Sequence, residues 1–406
     1  MDLCKSPGGS LFKISRHIGL SGVPTNTKRI TILGSTGSIG KNTLDLVART
    51  PSMFAVEAIT ANQDVNTLAQ QAQKFKPKMA VIGDESLYEE LKTQLKGTAI
   101  ECATGPEGLK EAAARPSELV MAAIVGAAGL TPTLEAVRRG ATIALANKEC
   151  LVTAGKIFTR EVIENGATLL PVDSEHSAIY QVFDFDQVER IERIILTASG
   201  GPLRTFSLEK MSKVTPQEAV AHPNWNMGAK ISVDSATMMN KGLELIEAYY
   251  LFPVKKSTIE ILVHPQSVIH SLVEYVDGSV LAQMGTPDMR TPIAFALAWP
   301  SRMSAPSPRL DLNKIGQLTF ENPDESRFPA LRIARESLEA GASAPTILNA
   351  ANEIAVRKFL DGEIGFLDIC HIVDQTLEKV DNISINSLED VFSVDKIARH
   401  TAERLG

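Results

Sequence analysis

Residues 29–40 read RITILGSTGSIG. A short apolar run, Arg29–Leu33, meets Gly34, Gly37 and Gly40 in GxxGxxG spacing. A strand ending in glycines, followed by a helix from Ile39, sets backbone amides and a helix N-terminus where a pyrophosphate can rest. Taken alone the loop reads equally as a tight strand-to-helix turn, so the sequence beyond it has to decide. FAVEAIT, MAVIG, ELVMAAI, ATIALA and TLLPVD follow as short apolar runs, separated by amphipathic stretches such as Val65–Phe75. Alternation of this kind makes βαβ units and a mainly parallel sheet covered on both faces. The fold class is therefore α/β, with residues 28–172 forming a Rossmann-like dinucleotide-binding domain. At the end of the second strand Ala61, Asn62 and Gln63 precede the first acid, Asp64. Small and amide side chains leave room for a ribose 2′-phosphate, which favours NADP over NAD. No Arg or Lys stands at this turn to pair that phosphate, and an inward Asp64 would repel it.

After Asp173 the regular alternation lapses. RIILTAS, TIEILVH and SVIHSLVEYV, with DGS as a turn before VLAQMG, predict an antiparallel or mixed sheet in an α+β catalytic domain over 173–298. The Pro- and Ser-rich stretch WPSRMSAPSPRLDL opens a linker over 299–324. ALRIARESLEA, TILNAANEIAVRKFL and CHIVDQTLEKV carry a helical period, so 325–406 reads as a C-terminal helical bundle. Residues 1–27 are basic and acid-poor without a sustained period, and read as a disordered extension.

The chain has 406 residues, 44% of them hydrophobic and 22% charged, an ordinary globular composition. A net charge of −7 argues against a nucleic-acid or anionic-membrane surface, so any phosphate site must be built locally. Cys4, Cys102, Cys150 and Cys370 lie far apart, which argues for reduced thiols in a cytoplasmic compartment and against zinc. No apolar run reaches the roughly 18 residues of a membrane span.

Chemistry is densest in His222–Glu247, HPNWNMGAKISVDSATMMNKGLELIE. Ser232, Ser235, Thr237, Asn240 and Lys241 offer short donors and a cation for a phosphate monoester. Lys241 and Glu244 share one face at i,i+3. An N-capped surface helix would explain any one of these residues, though not their density. In PVDSEHSA, Asp173 and Glu175 are two apart, so an extended backbone would project both to one side, beyond a strand's carboxyl end. With Glu244 they would make a three-carboxylate set suited to Mg²⁺ or Mn²⁺; an acidic loop or N-cap is the alternative for the pair alone. Lys148 in LANKE is placed to meet a substrate oxygen, or is a plain helix-start lysine. Ser199 in TASGGP, with the amides of Gly200 and Gly201, forms an anion nest or a simple turn. Of the histidines, His176 and His222 are candidate ligands or acid/base groups, the company of Trp225, Ser235 and Lys241 favouring phosphate contact for His222; His264 and His270 read as structural.

With GSTGSIG, LANKE, PVDSEH, SGGP, HPNWNMG, SVDSATMMNKGLE, HPQSVIHS, GTPDMRTPIA and LNAANE in this order, the sequence from Lys28 onward resembles the 1-deoxy-D-xylulose 5-phosphate reductoisomerase family. The resemblance implies a homodimer with an NADP-binding domain, a catalytic domain with a mobile loop, and a helical C-terminal domain. It implies Asp173, Glu175 and Glu244 as ligands of Mg²⁺ or Mn²⁺. It implies substrate contacts from Lys148, Ser174, Glu175 and Glu244, and phosphate contacts from Ser199, His222, Ser235, Asn240 and Lys241. Cofactor contacts are implied for Gly34, Ser35, Thr36, Gly37, Ser38, Ile39, Gly40, Ala61, Asn62, Gln63, Asn147, Glu149, Gly228 and Met289. Catalytic roles fall to Lys148, Glu175 and Trp225, the last on a loop with Met227 and a Gly228 hinge that excludes water from hydride transfer. The reaction implied is metal-assisted rearrangement of a ketose phosphate and reduction by NADPH to 2-C-methyl-D-erythritol 4-phosphate, in non-mevalonate isoprenoid synthesis. The chain departs from the family at Asn62-Gln63-Asp64, where many relatives carry a basic residue. A sugar-phosphate or hydroxy-acid oxidoreductase without rearrangement would not need three carboxylates, and a dinucleotide sensor would not need the catalytic groups.

Overall fold

The computed structural model describes residues 27–225 and 227–406; the extension expected at the N-terminus lies outside them except for Thr27. In chain order the elements begin β1 (Lys28–Leu33), α1 (Ser38–Arg49), β2 (Phe54–Ala61), α2 (Val65–Phe75), β3 (Met79–Ile82), α3 (Tyr88–Gln94), β4 (Glu101–Thr104) and α4 (Gly105–Ala114). They continue with β5 (Leu119–Ala122), α5 (Leu130–Arg138), β6 (Thr142–Leu145), α6 (Glu149–Glu164), β7 (Thr168–Pro171), α7 (Ser174–Val182) and β8 (Ile191–Ala198). Then come α8 (Leu208–Met211), α9 (Pro216–Val220), α10 (Ala229–Thr237), α11 (Met239–Leu251), β9 (Ile259–Val263), β10 (Ile269–Tyr275) and β11 (Val280–Met284). The last helices are α12 (Arg290–Ala298), α13 (Leu312–Ile315), α14 (Ala330–Ala340), α15 (Ala344–Leu360), α16 (Asp368–Lys379) and α17 (Leu388–Glu403).

Two compact units result. The first takes the described residues through Asn147 together with Phe158–Asp173 and Met289–Pro306. Its seven strands lie in the order β4-β3-β2-β1-β5-β6-β7, every pair parallel. Ile30, Ile32, Ile59, Val81, Val120 and Ile143 are wholly buried, as strands covered on both faces require. The strand order reverses beside β1, and the carboxyl end at such a switch point is where open sheets bind ligands. Sequence reading had passed over β4: ECAT is a partly exposed edge strand with no apolar run to betray it.

The second unit takes Lys148–Ile157, Ser174–Asp288 and Ser307–Gly406. Its sheet runs β11-β10-β8-β9, with β8 and β9 parallel and the other pairs antiparallel, the mixed sheet expected from the sequence. α11 is buried along most of its length between this sheet and the C-terminal helix α14. That helix carries Lys241 and Glu244, which the fold buries, with Asn240 half-buried beside them. α6 breaks at Ala154 (φ −134°), and the Thr346 hydroxyl donates to the Thr153 carbonyl at 2.8 Å beside the break. Among the described residues no helix is long and apolar enough to cross a membrane.

Candidate active site and cofactor loop

Gly34 follows β1 at φ +84°, and a Cβ there would sit 2.6 Å from the Ala123 carbonyl oxygen. A Cβ on Gly40 would meet the Gly34 carbonyl oxygen at 2.4 Å, so this turn admits only glycine at both places. Gly37 caps α1 with no side-chain bond, and the first turn of the helix contains no acid. The amides of Ser38, Ile39 and Gly40 are first-turn donors that a helix cannot satisfy internally, and the turn holds no acid to compete for them. The loop is braced from below. Gly34 and Ser35 donate their amides to the Thr60 hydroxyl and carbonyl at 2.9 and 2.7 Å. The Ser35 hydroxyl is turned into the core, donating to Gln71 Oε1 at 2.7 Å, while Gln71 Nε2 donates to the Ser35 carbonyl at 2.9 Å.

At the second-strand turn Ala61 is buried, while Asn62 and Gln63 are exposed. Asp64 caps α2 by accepting the Thr67 amide at 3.0 Å, and these Thr67 bonds hold its carboxyl below the usual range. The Asp64 carboxylate is thus ionised, exposed and turned to the start of its own helix. Asn147 is buried and donates to the Gly126 carbonyl at 3.0 Å, tying the end of β6 to the loop after β5. Met289 stands half-buried at the start of α12.

The extended geometry expected for Asp173 and Glu175 does not occur. β7 ends at Pro171, with a last bond from the Val172 amide to the Leu145 carbonyl at 2.9 Å, and Glu175 falls in the first turn of α7, where an acid complements the helix dipole. The carboxylates converge all the same: one oxygen from each of Asp173, Glu175 and Glu244 lies within 4.8 Å of the others. Asp173 is the last residue of its segment, peptide-bonded to Ser174 of the second unit, and is placed by that bond.

Glu244 is 1% exposed and is surrounded by donors. Lys148 Nζ reaches its Oε1 at 3.0 Å and Asn240 Oδ1 at 2.9 Å. Asn240 Nδ2 also donates to Oε1, and Lys241 Nζ donates to Oε2. Lys241 reaches Glu175 Oε1 at 2.9 Å, and the Ser174 hydroxyl donates to Glu175 Oε2 at 2.5 Å. Buried ions survive only when paired and bonded, and here two ammonium groups supply the counter-charge to the carboxylates. Behind the cluster His176 Nε2–H donates to the Glu244 carbonyl at 2.9 Å, and its Nδ1 lies 3.2 Å from Glu247. His176 also forms a second trio with Asp173 and Glu247, but the all-oxygen set better suits a hard divalent ion.

The phosphate donors separate by burial. Ser232 and Thr237 are buried, and their hydroxyls donate to the carbonyls of Gly228 (3.0 Å) and Asp234 (3.2 Å), so these two expected donors serve the backbone instead. Ser199, Ser235 and Asn240 remain partly accessible. His222 Nδ1 accepts the amides of Asn224 and Trp225 at 3.1 and 3.0 Å, which leaves the proton on Nε2, 2.9 Å from Ser199 Oγ. Burial lowers the His222 pKa, consistent with this neutral form. Ser199 Oγ accepts from His222 and from the Gly201 amide at 3.1 Å, so its own hydrogen points away and is available to an anion. Gly200 and Gly201 hold φ +81° and +69°, and a Cβ on Gly201 would lie 2.4 Å from the Ser235 carbonyl oxygen. Trp225 lies over His270, ring centres 6.1 Å apart. His264 is structural as expected: Nδ1 bonds the Thr319 carbonyl at 2.8 Å and the ring stacks on Phe320. Gly228 has φ −63° as the N-cap of α10 with open space around it, so this conformation does not itself call for glycine.

Sequence reading missed one network. Glu149, expected at the cofactor, is buried and paired at 3.3 Å with Lys230, which also reaches Asp234 at 2.8 Å. Asn352 Nδ2 donates to the other Asp234 oxygen at 2.8 Å. The i,i+4 spacing of Lys230 and Asp234 was the one available signal.

The donors fit the groups they would hold. Oxygen ligands without sulfur suit Mg²⁺ or Mn²⁺, and the uncapped glycine turn at a switch point suits a dinucleotide pyrophosphate. Fold and site together define an NADP-dependent oxidoreductase. Comparison with known proteins narrows the class. A family model for 1-deoxy-D-xylulose 5-phosphate reductoisomerase matches residues 30–155, one for that enzyme's C-terminal domain matches 169–252, and a DXP reductoisomerase C-terminal domain model matches 284–401. The reductoisomerase of Rhodospirillum centenum is 58% identical over 378 residues, covering 93% of this chain and 94% of that protein. The solved reductoisomerase of Zymomonas mobilis in complex with NADPH superposes with a TM-score of 0.88 at 55% identity, covering 93% of this chain and 97% of the other. A DOX-P reductoisomerase in complex with NADPH, fosmidomycin and magnesium gives 0.88 at 43% identity, covering 92% and 97%. The chain belongs to the 1-deoxy-D-xylulose 5-phosphate reductoisomerase family.

Proposed function

We propose that the protein converts 1-deoxy-D-xylulose 5-phosphate into 2-C-methyl-D-erythritol 4-phosphate, consuming NADPH and a proton, with a divalent metal held by Asp173, Glu175 and Glu244. The observation that carries this reading is the carboxylate trio interleaved with Lys148 and Lys241, in a chain of this family. When bound, the metal supplies a Lewis acid for adjacent carbonyl and hydroxyl oxygens, and NADPH supplies the hydride.

The chain's own residues do the rest. Ser199, Ser235, Asn240 and Lys241 bind the phosphate, with His222 aiming the Ser199 hydroxyl outward. Binding a group remote from the reacting carbons gives energy for orienting them. Lys148 and Lys241 neutralise Glu244 and Glu175 here; once those carboxylates are otherwise engaged, both ammonium groups turn to substrate oxygens, Lys148 beside the hydroxyls and Lys241 toward the phosphate. Ser174 assists Glu175 in holding the substrate backbone. Trp225, with Met227 on the same loop, covers the reacting carbons and excludes water. In the first unit the amides from Thr36 to Gly40 hold the NADPH pyrophosphate, Ala61 to Gln63 line the adenosine ribose, and Asn147 and Met289 attend the nicotinamide half; the family resemblance also assigns Glu149 and Gly228, of the second unit, to the cofactor.

We also infer a homodimer in a reducing cytoplasm, on the family resemblance and on Cys102 and Cys370 being free thiols. The sequence-based division into 28–172, 173–298, 299–324 and 325–406 remains our proposal for functional domains. The test is loss of NADPH absorbance with 1-deoxy-D-xylulose 5-phosphate, with and without Mg²⁺ or Mn²⁺, against a parallel NADH reaction. Metal-dependent consumption favouring NADPH is the expected result. Well-folded protein that binds NADPH but leaves this substrate untouched would overturn the assignment.

A further inference from the structure

We propose that Lys230 is a positioning residue of the active site, pinning α10, and with it Ser235 and the end of the 222–228 loop, to the helix start that follows Lys148. The inference rests on the function proposed above for the identity of the substrate.

Local helix physics argues against a lysine here. Lys230 lies in the first turn of α10, where a cation opposes the helix dipole. Its acidic partner Asp234 comes after it at i,i+4, the weaker order for such a pair. A residue that breaks local preference needs a compensating tertiary role. That role is visible in its partners: Asp234 at 2.8 Å within α10 and Glu149 at 3.3 Å in the first turn of α6. Asp234, itself 1% exposed, is held in turn by Asn352 of α15 at 2.8 Å. One ammonium group therefore joins the starts of α6 and α10 and, through Asp234, the middle of α15. Its side chain keeps 31% exposure, and Asp234 and Glu149 outweigh the desolvation it does suffer and raise its pKa above the ordinary lysine value.

The opposite side of α10 leaves no slack. The Gly201 turn abuts the Ser235 carbonyl so closely that not even a Cβ fits between them. A shift of α10 therefore displaces Ser235 and presses on the turn that carries Ser199. At the other end of the network, Glu149 is the residue after Lys148, whose ammonium reaches Glu244 and Asn240. Lys230 thus sets the spacing between the phosphate donors and Lys148 without touching the substrate.

The experiment uses the full-length enzyme. Lys230→Met should raise KM for 1-deoxy-D-xylulose 5-phosphate by about tenfold while kcat stays within about threefold, and Lys230→Arg should restore KM to within about twofold. Asp234→Asn combined with Lys230→Met should be no worse than Lys230→Met alone, because residues acting as one unit do not multiply their effects. As a readout independent of turnover, inorganic phosphate should raise the melting temperature of wild type and Lys230→Arg, and fail to raise that of Lys230→Met. A folded Lys230→Met enzyme with wild-type KM and wild-type phosphate stabilisation overturns the inference, as do KM effects that multiply. If Lys230→Met alone does not fold, the double variant, which removes opposite charges together, takes its place; wild-type phosphate stabilisation in it is equally fatal. Should wild type ignore the substrate, the proposed function fails, and the phosphate arm still judges Lys230.

Discussion

Replacing Glu244 by Gln removes a charge while keeping shape, and the structure lets the cost be worked out. Glu244 is 1% exposed and receives Lys148 at 3.0 Å, Lys241, and Asn240. Hydrogen bonds to charged groups contribute roughly 1.5–3 kcal/mol each, so weakening the two ammonium bonds costs about 3–6 kcal/mol. Two effects reduce that figure. The glutamine carbonyl still accepts one bond, and Lys241 keeps Glu175 at 2.9 Å. A loss of about 3 kcal/mol remains, at the low end of what breaking a buried ion pair costs. Catalysis should suffer separately, because one of three anionic metal ligands is gone. We expect turnover to fall on the order of a thousandfold, about 4 kcal/mol of barrier, with the metal concentration for half-maximal rate rising steeply. NADPH binding should persist, since the glycine loop and its braces contain no contact with Glu244. The assay is a metal titration of NADPH consumption, alongside NADPH fluorescence titration and urea denaturation. Wild-type turnover would remove Glu244 from the metal site, and parallel loss of NADPH binding would show that the substitution had damaged more than that site.

Two further outcomes follow from other parts of the molecule. Gln71→Leu removes the two bonds that Gln71 makes to Ser35 and leaves those to Thr60, so the NADPH dissociation constant should rise about tenfold, or about 1.4 kcal/mol, while kcat at saturating cofactor changes little; unchanged affinity by fluorescence titration would show that the Gln71 brace does not shape the loop. His270 has its pKa pushed down from 6.5 to about 4, by burial first and by the nearby Lys241 charge next, with bonds to the Thr286 and Gly285 backbone opposing. The fold therefore favours neutral His270, and that stability is fully present above pH 6.5 and lost as pH falls through 4, to about 3 kcal/mol. Denaturation of wild type and His270→Gln across this window should show a steeper decline in wild type; equal slopes would refute the assignment.

How much of this could be read from sequence varied with how local each cause was. The first unit was legible because Ile30, Ile32 and their counterparts must be apolar on both faces of a parallel sheet, and an uninterrupted apolar run is visible without context. β4 escaped because an edge strand need only satisfy one neighbour, so Glu101 and Thr104 break the run that identifies its fellows. At the site, residue type was informative and geometry was not. Asp173, Glu175 and Glu244 converge, yet not through the extended backbone that suggested it: the chain leaves β7 and starts α7 between Pro171 and Glu175. Ser232 and Thr237 carry the same hydroxyls as Ser199 and Ser235, and only their burial against the carbonyls of Gly228 and Asp234 shows that they serve the backbone. Asp64 could point inward or outward until its capping bond to Thr67 appeared, because a carboxylate's direction is a tertiary fact. The network around Lys230 is the extreme case, since Glu149, Lys230, Asp234 and Asn352 come from three helices spread over about half the chain. Each of these four reads singly as an ordinary polar residue. What makes them a unit is the cost of burying two carboxylates unless one cation answers both, and that cost cannot be seen until the fold has brought them together.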